Sequence, residues 1–243
     1  MARRKKQTRR FYHPFFVLRF LLVALLVVIL LPILEVGCAR YINPPFTPMM
    51  AQRWLEARFE GEQPAPIRQS WIDLNDVPHD FLHFVWAAED QRFYQHTGID
   101  WKEVEIAMEE ARKSGKPPRG ASTITMQCAR TVFLWQGRSW VRKGGEAYFT
   151  LLMEIILGKD RILELYVNFI EMGDGVYGIK AASEVFYDKS PDKLSRRELA
   201  TLAALLPNPL GWSPINPSPR LIRRTDKILR EASRTTFPGD TEK

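Results

Sequence analysis

The longest hydrophobic run of the chain lies near its amino terminus. It extends from Phe15 to Leu34 and is interrupted by one charged residue, Arg19. About 20 helical residues span roughly 30 Å of hydrocarbon, and a long arginine side chain can extend toward the polar boundary. The pattern therefore predicts a transmembrane helix over residues 14–37.

The charges around this run predict its orientation. The first ten residues hold six Lys or Arg and no acid, so the positive-inside rule places residues 1–13 in the cytoplasm and the later chain across the membrane. A cleaved signal peptide has the same order of basic and apolar regions. The run is long for such a signal, however, and Glu35-Val36-Gly37-Cys38 is a poor cleavage site. We therefore expect a retained single-pass anchor.

After the anchor, helical periodicity alternates with proline and glycine breaks, and the sequence shows neither an internal repeat nor a long alternating strand series. We expect a linker and membrane-proximal helix over 38–64, a folded domain over 65–233 and a tail over 234–243. The fold class predicted is mostly α, with a short strand near Trp71 or a hairpin. The pattern predicts helices over 79–97, 101–113, 140–157, 160–168, 196–205 and 219–233, with one more ending near 134.

The stretch EDQRFYQHTGID, residues 89–100, carries adjacent acids, two aromatics and a histidine after an apolar run. On one continuous helix, Glu89, Phe93 and His96 share a face, and Gly98 ends the helix. Partial burial raises the pKa of an acid at such a helix end, which is one way to make a general base or acid. A solvated helix end with ordinary charges is the alternative.

The helix predicted over 140–157 has one apolar and one mixed face. The apolar pattern predicts burial of Tyr148, Leu151, Leu152, Ile155 and Ile156. Arg142, Glu146 and Met153 fall on the other face. An exposed i, i+4 ion pair between Arg142 and Glu146 is the simplest interpretation of that spacing.

Composition limits the class of partner. Of 243 residues, 45% are hydrophobic and 26% charged, with a net charge of +7, which is typical of a globular protein. Basic residues of the outer domain suit an anionic lipid surface or a phosphate-bearing substrate, whereas nucleic acid is excluded by the location outside the cytoplasm. Cys38 and Cys128 form no disulfide framework and are expected to be free.

The candidate catalytic and binding residues are mainly carboxylates and cationic side chains. The sequence has no CxxC, HExxH or phosphate-binding glycine loop, and His79 and His83 are more typical of ordinary helix histidines than of metal ligands. Enzymes that act on glycosidic bonds commonly use a pair of carboxylates, and Glu89 and Glu146 are candidates for such a pair. Basic residues at 130, 142 and 143 suit a phosphate-bearing leaving group.

Four ordered segments, spanning about 65–220, resemble the peptidoglycan glycosyltransferases of glycosyltransferase family 51, in their monofunctional biosynthetic form. EDQRFYQHTGID matches the pattern ED-x-x-F-x-x-H-x-G, and GASTITMQCAR resembles G-x-S-T-I-T-Q-Q-x-x-K. RKGGE at 142–146 matches R-K-x-x-E, and ILELYVN followed by GDGVYGIKAAS matches the region that closes the site. The resemblance implies a lysozyme-like helical fold and polymerisation of lipid II by β-1,4 linkage with inversion and release of undecaprenyl pyrophosphate.

The resemblance also assigns roles to individual residues. It makes Glu89 the general base that takes the proton of the acceptor GlcNAc 4-hydroxyl, and it makes Glu146 a stabiliser of the donor side across the cleft. Residues that shape the acceptor site are Asp90, Phe93 and His96. Residues that contact the donor pyrophosphate and sugars are Ser122, Gln127, Arg130, Arg142 and Lys143.

The resemblance further implies the surroundings of the enzyme. A divalent cation, Mg²⁺ or Mn²⁺, is the one cofactor expected, with Glu146 or Asp90 as candidate ligands, and no organic cofactor is expected. The expected partners are lipid II, the growing lipid-linked glycan strand, the membrane, transpeptidases and cell division or elongation proteins. The expected location is the inner membrane with the catalytic domain on the periplasmic side.

Three departures from the family pattern keep other interpretations open. Met126 replaces the first of two glutamines, Arg130 replaces a lysine and Thr131 replaces an asparagine. One alternative is a muramidase-like hydrolase with Glu89 as general acid, although such an enzyme needs neither anchor nor pyrophosphate site. The other is an anchored scaffold protein with a weakened site.

Overall fold

The computed structural model describes residues 14–137 and 139–238, so the basic tail at 1–13 lies outside the described residues. Within these ranges the chain is mostly helical, as the sequence predicted. The helices are α1 (Pro14–Ala39), α2 (Pro48–Phe59), α3 (His79–Glu89), α4 (Trp101–Ser114), α5 (Ile124–Phe133), α6 (Trp140–Ile156), α7 (Lys159–Phe169), α8 (Gly178–Tyr187), α9 (Arg196–Leu205) and α10 (Pro219–Ala232). Short 3₁₀ turns cover Leu74–Asp76, Phe93–Gln95 and Pro191–Lys193.

A small three-stranded sheet connects the first part of the domain to the segment after α7. Its strands β1 (Arg68–Gln69), β2 (Glu171–Gly173) and β3 (Val176–Tyr177) lie in the order β1-β3-β2. β1 runs parallel to β3, and β2 runs antiparallel to it. The hairpin expectation is confirmed, while the strand expected near Trp71 lies slightly earlier in the chain.

The core is built from two groups of packed helices. α5 packs against α6 and α7, and α3 packs against α9 and α10. Several helix starts follow the expected capping chemistry: Thr47 accepts from the Met50 N–H, and Ser195 and Glu198 form a full capping box. Asp100 accepts from the Glu103 N–H, but the Glu103 carboxylate pairs with Arg119 instead of completing the box.

The prediction of one helix over 79–97 is wrong. α3 ends at Glu89, and Asp90 leaves the helix with φ −161° and ψ 81°. The side chain of Asp90 is needed elsewhere, because it accepts from the Ile124 N–H and from His96. Glu89, Phe93 and His96 therefore do not share a helix face. Gly98, at φ +91°, serves close packing, since a Cβ there would lie 2.5 Å from Thr150.

The predicted burial of α6 is also wrong. Its buried side chains are Arg142, Glu146, Phe149, Thr150 and Met153. Its exposed apolar side chains are Trp140 (92%), Val141 (79%), Leu151 (47%) and Ile155 (79%). Tyr148, Leu152 and Ile156 are only half-buried. The face that carries Arg142 and Glu146 packs inward with its charges paired. The apolar face is exposed.

α1 is long and apolar enough to cross a membrane. It packs against α6, where the Tyr148 hydroxyl donates to the Ile29 carbonyl at 2.8 Å. At its end, Val36 and Ala39 are buried, and Arg161 Nε donates to the Ala39 carbonyl at 2.9 Å. The folded domain therefore holds the last turns of this helix directly.

The segment after α10 is more ordered than its sequence suggests. Phe237 is buried, and its ring packs on those of His79, His83 and Trp86. The expectation of a frayed tail thus fails at Phe237, while residues 239–243 lie outside the described residues. The packed imidazoles fit the interpretation of His79 and His83 as ordinary helix histidines. Both cysteines are free, as expected.

Asn168 at the end of α7 supports a test of this fold. Its buried side chain accepts from the Ile72 N–H and donates to the carbonyls of Ile72 and Glu164, all at 2.8–2.9 Å. Asn168→Ala should lower the free energy of unfolding by about 3 kcal/mol, because these buried backbone groups lose their partners. Asn216→Ala, at an exposed position, should change it by less than about 0.5 kcal/mol. Equal midpoints in chemical denaturation would contradict this account.

Candidate active site

The carboxylate of Glu89 lies at the end of α3 and is held from two other helices. Arg224 Nη2 on α10 lies 2.8 Å from Glu89 Oε1, and Gln127 Nε2 on α5 donates to Oε2 at 2.9 Å. The Glu89 side chain is only 12% exposed. Burial raises the pKa of Glu89, and the hydrogen bond from Gln127 and the charge of Arg224 oppose that rise. A basic but accessible carboxylate is the result.

Gln127 is itself held on its other side. The hydroxyl of Tyr166, on α7, donates to Gln127 Oε1 at 3.1 Å. Tyr166 is fully buried, and burial raises its pKa well above the ordinary range, so its hydroxyl keeps its proton. A chain of hydrogen bonds therefore runs from α7 through α5 to Glu89.

Asp90 and His96 form a second contact, which shapes the loop after α3. His96 Nε2 lies 3.0 Å from Asp90 Oδ2, while His96 Nδ1 accepts from the Gly98 N–H at 3.1 Å. Because Nδ1 is an acceptor, the ring proton of a neutral His96 is on Nε2 and points to Asp90. Asp90 Oδ2 also accepts from the Ile124 N–H. The pair thus joins this loop to the start of α5.

Glu89 opens into a cavity of about 610 Å³, a size usual for ligand sites. Four residues singled out from the sequence line it: Glu89, Asp90, Ser122 and Gln127. Arg119, Arg224 and Lys227 bring positive charge to its wall. A buried base beside cations suits a sugar substrate that carries a phosphate group.

The remaining predicted residues do not line this cavity. Phe93 is buried in the core, with Lys159 Nζ 4.4 Å from its ring centre. His96 does not line the cavity itself but contacts Asp90, which does. Arg130 is half-buried on α5. Its charge partly opposes the rise in the pKa of Tyr166 that burial causes.

Arg142, Lys143 and Glu146 form a separate cluster on α6. The carboxylate of Glu146 is completely buried, and it pairs with Arg142 through one oxygen and with Lys143 through the other. Arg142 Nε donates to the Gly137 carbonyl at 2.6 Å. The interpretation of an exposed Arg142–Glu146 pair is therefore wrong. Glu146 does not line the cavity of Glu89, and the expectation that it lies across a cleft from Glu89 stays a prediction.

The candidate metal ligands are already engaged. Asp90, His96 and Asp100 have ligand atoms within 4.8 Å of one another. However, Asp90 accepts from His96 and Ile124, and Asp100 Oδ1 caps α4 and lies 3.3 Å from Arg92. Both oxygens of Glu146 contact cationic side chains. These donor sets do not fit a divalent cation without rearrangement, so the metal stays a prediction.

Two residues of the site were missed by sequence reasoning. Arg224 is one of several arginines on a basic helix, 135 residues after Glu89, and no local spacing connects them. Tyr166 lies in the segment ILELYVN, which was assigned only to closing the site. Met126, which departs from the family pattern, is buried and does not line the cavity, and the Thr131 hydroxyl donates to the Gln127 carbonyl.

Comparison with known proteins shows the family of this chain. The sequence model of the transglycosylase family matches residues 58–233. A biosynthetic peptidoglycan transglycosylase of Xanthomonas campestris pv. campestris (strain B100) is 44% identical over 91% of this chain and 90% of its own length. Proteins of the same name from Shewanella amazonensis and Pseudomonas entomophila are 44% and 41% identical over 87% and 82% of this chain, and over 83% and 84% of their own lengths. The chain therefore belongs to the transglycosylase family.

Proposed function

We propose that this protein is a peptidoglycan glycosyltransferase that polymerises lipid II into β-1,4-linked glycan strands with release of undecaprenyl pyrophosphate. The family and the names of its relatives support this activity. The observation that carries the proposal is the Glu89 carboxylate, which is largely buried, has a raised pKa and lines a cavity whose wall holds both acidic and cationic side chains. A scaffold protein has no need of such a group.

On the acceptor side, Glu89 acts as the general base. The 4-hydroxyl oxygen of the acceptor GlcNAc attacks the anomeric carbon of the donor sugar, and its proton moves to Glu89. The bond from the anomeric carbon to the pyrophosphate oxygen breaks, and the electron pair leaves with the pyrophosphate. Attack from the opposite face inverts the anomeric centre. Burial raises the pKa of Glu89, so its ionised carboxylate is a stronger base than that of an exposed glutamate.

On the donor side, cationic side chains stabilise the departing pyrophosphate. Arg142 and Lys143 on α6 supply this charge together with Arg130, and Arg119 supplies charge in the cavity wall. Glu146 holds Arg142 and Lys143 through one oxygen each. We therefore assign Glu146 the role of orienting these two cations, in place of a direct contact with the substrate.

The site lies at the outer surface of the inner membrane. α1 anchors the chain, and the apolar face of α6, with Trp140 and Ile155 exposed, contacts the lipid beside it. With the basic tail inside the cell, the domain lies in the periplasm. There it meets the lipid-linked substrate, and transpeptidases and division or elongation proteins are its expected protein partners.

Glu89→Gln should lower the rate of glycan synthesis by at least about 10²-fold, because the amide cannot accept the acceptor proton. The assay uses the purified full-length protein with labelled lipid II and resolves the strands by length. Glu231→Gln, at another glutamate that lines the cavity, is the matched control and should leave the rate near that of the wild type. Unchanged strand yield from Glu89→Gln would contradict the assignment. Cleavage of added glycan strands by the wild type would instead support a hydrolase.

Glu146→Gln should lower the rate on the order of 10²-fold, because Arg142 and Lys143 lose the carboxylate that orients them. Glu154→Gln is the control for stability, since Glu154 lies on the same helix and pairs with Lys159. Both variants should lower the thermal midpoint, whereas only Glu146→Gln should lower the rate. Equal rates at matched folded fractions would show that Glu146 has a structural role alone.

Replacement of Trp140 by Phe should remove much of the fluorescence quenching that brominated lipids cause in vesicles that contain the full chain. The reason is that Trp140 lies exposed on the apolar face of α6, next to the membrane helix. Trp212 is the control, because it lies between α9 and α10 and packs under Arg220. If Trp212→Phe removes as much quenching as Trp140→Phe, the apolar face of α6 does not contact lipid.

A further inference from the structure

The two oxygens of Glu89 have different partners, and one of these partners is itself held by a third residue. Oε2 accepts from the Gln127 amide, and Oε1 pairs with Arg224. The Gln127 amide is in turn fixed by Tyr166. We propose that Tyr166 and Arg224 are positioning residues for the general base, which together keep Glu89 ionised and aimed into the cavity. The proposal rests on the function proposed for Glu89 above.

The role of Tyr166 follows from the shape of a glutamine amide. Its oxygen end accepts hydrogen bonds, its nitrogen end donates them, and the two ends are nearly equal in size. An ionised Glu89 requires the nitrogen end, because a carboxylate only accepts. The buried Tyr166 hydroxyl, 3.1 Å from Gln127 Oε1, requires an acceptor for its proton. Both demands are met by one amide orientation.

Removal of the Tyr166 hydroxyl frees the amide to turn over. The turned amide presents its oxygen to Glu89. This oxygen repels an ionised carboxylate but accepts a hydrogen bond from a protonated one. Phenylalanine at position 166 therefore favours protonated Glu89, which is inactive as a base. The predicted effect is specific to the protonation state of Glu89, since a simple packing loss would lower the rate equally at every pH.

Arg224 acts on the other oxygen. Among the described residues its side chain makes one hydrogen bond, to Glu89, and its Nε is buried without a partner. This guanidinium is thus dedicated to Glu89. Its charge favours the ionised carboxylate against the cost of burial.

The other charged groups near Glu89 have contacts of their own, and among them the charge of Asp90 raises the pKa of Glu89. The Asp90 carboxylate contacts the His96 ring, and Arg92 lies 3.3 Å from Asp100. Arg119 pairs with Glu103 and Glu110, and Lys227 lies 3.5 Å from Glu231. Arg130 lies one turn beyond Gln127 on α5. Among the described residues, Arg224 is the cation in direct contact with Glu89, so its removal should dominate the response.

The test is the pH dependence of strand synthesis by the full-length protein with labelled lipid II. Activity falls on the acid side as Glu89 takes up a proton. Arg224→Gln should move this acid limb to higher pH by about one unit, which is about tenfold in rate on the limb. Tyr166→Phe should move it in the same direction by less. Arg224→Lys keeps the charge and should give a smaller shift than Arg224→Gln.

Matched controls separate positioning from folding. Tyr177→Phe changes a tyrosine that is as deeply buried but has no hydrogen-bond partner among the described residues, and Arg230→Gln changes an exposed arginine of the same helix. Neither should move the limb. In a Gln127→Leu background, Tyr166→Phe should add no further shift, because its effect passes through the amide.

The possible results are distinct. An acid limb that stays in place for both Tyr166→Phe and Arg224→Gln, with rates lowered equally at all pH values, would overturn the inference and leave Glu89 as the base. Shifts that persist in the Gln127→Leu background would overturn the role of Tyr166 alone. Failure of the wild type to make strands, or full activity of Glu89→Gln, would overturn the proposed function itself.

Discussion

The active-site arrangement depends on the carboxylate of Asp90. It accepts from the Ile124 N–H at the start of α5 and from the His96 ring in its own loop. These contacts end α3 at Glu89 and hold α5 against that end. Gln127, one turn into α5, is thereby brought to the Glu89 carboxylate. The geometry at one helix end thus positions a base and its amide partner together.

Buried charges in this domain are matched to specific partners. Glu89 contacts Arg224 and Gln127, and Glu146 contacts two cations of its own helix. Burial of such pairs is costly, and hydrophobic replacements of similar size are often no less stable. Their presence is better explained by preorganisation, because fixed charges in a dry site stabilise a transition state without rearrangement. The apolar core around these groups offsets the free-energy cost of burying them.

The proposed membrane contact accounts for the exposed apolar surface on α6. α6 places its charged face inward and leaves Trp140, Val141 and Ile155 exposed beside α1. In the proposed location, contact with lipid would remove the penalty for this arrangement. The same helix carries Arg142 and Lys143, so cationic groups and an apolar surface lie on one element. A substrate with a pyrophosphate and a long lipid chain requires both within a short distance.

The sequence alone determined the long apolar helix near the amino terminus, the helical class, the cap residues Thr47 and Ser195, and the family motifs that include Glu89. These features depend on local periodicity, on turn chemistry and on residue types at fixed spacing. The tertiary structure decided which groups meet Glu89, since Arg224 is 135 residues away and Tyr166 belongs to another helix. It also decided where α3 ends and which face of α6 is buried. At the end of α3 the decisive contact is the long-range one between Asp90 and Ile124, whereas on α6 Glu146 pairs with two cations of its own helix. In both places pairing of polar groups outweighed the hydrophobic pattern, because a buried polar group without a partner is costly.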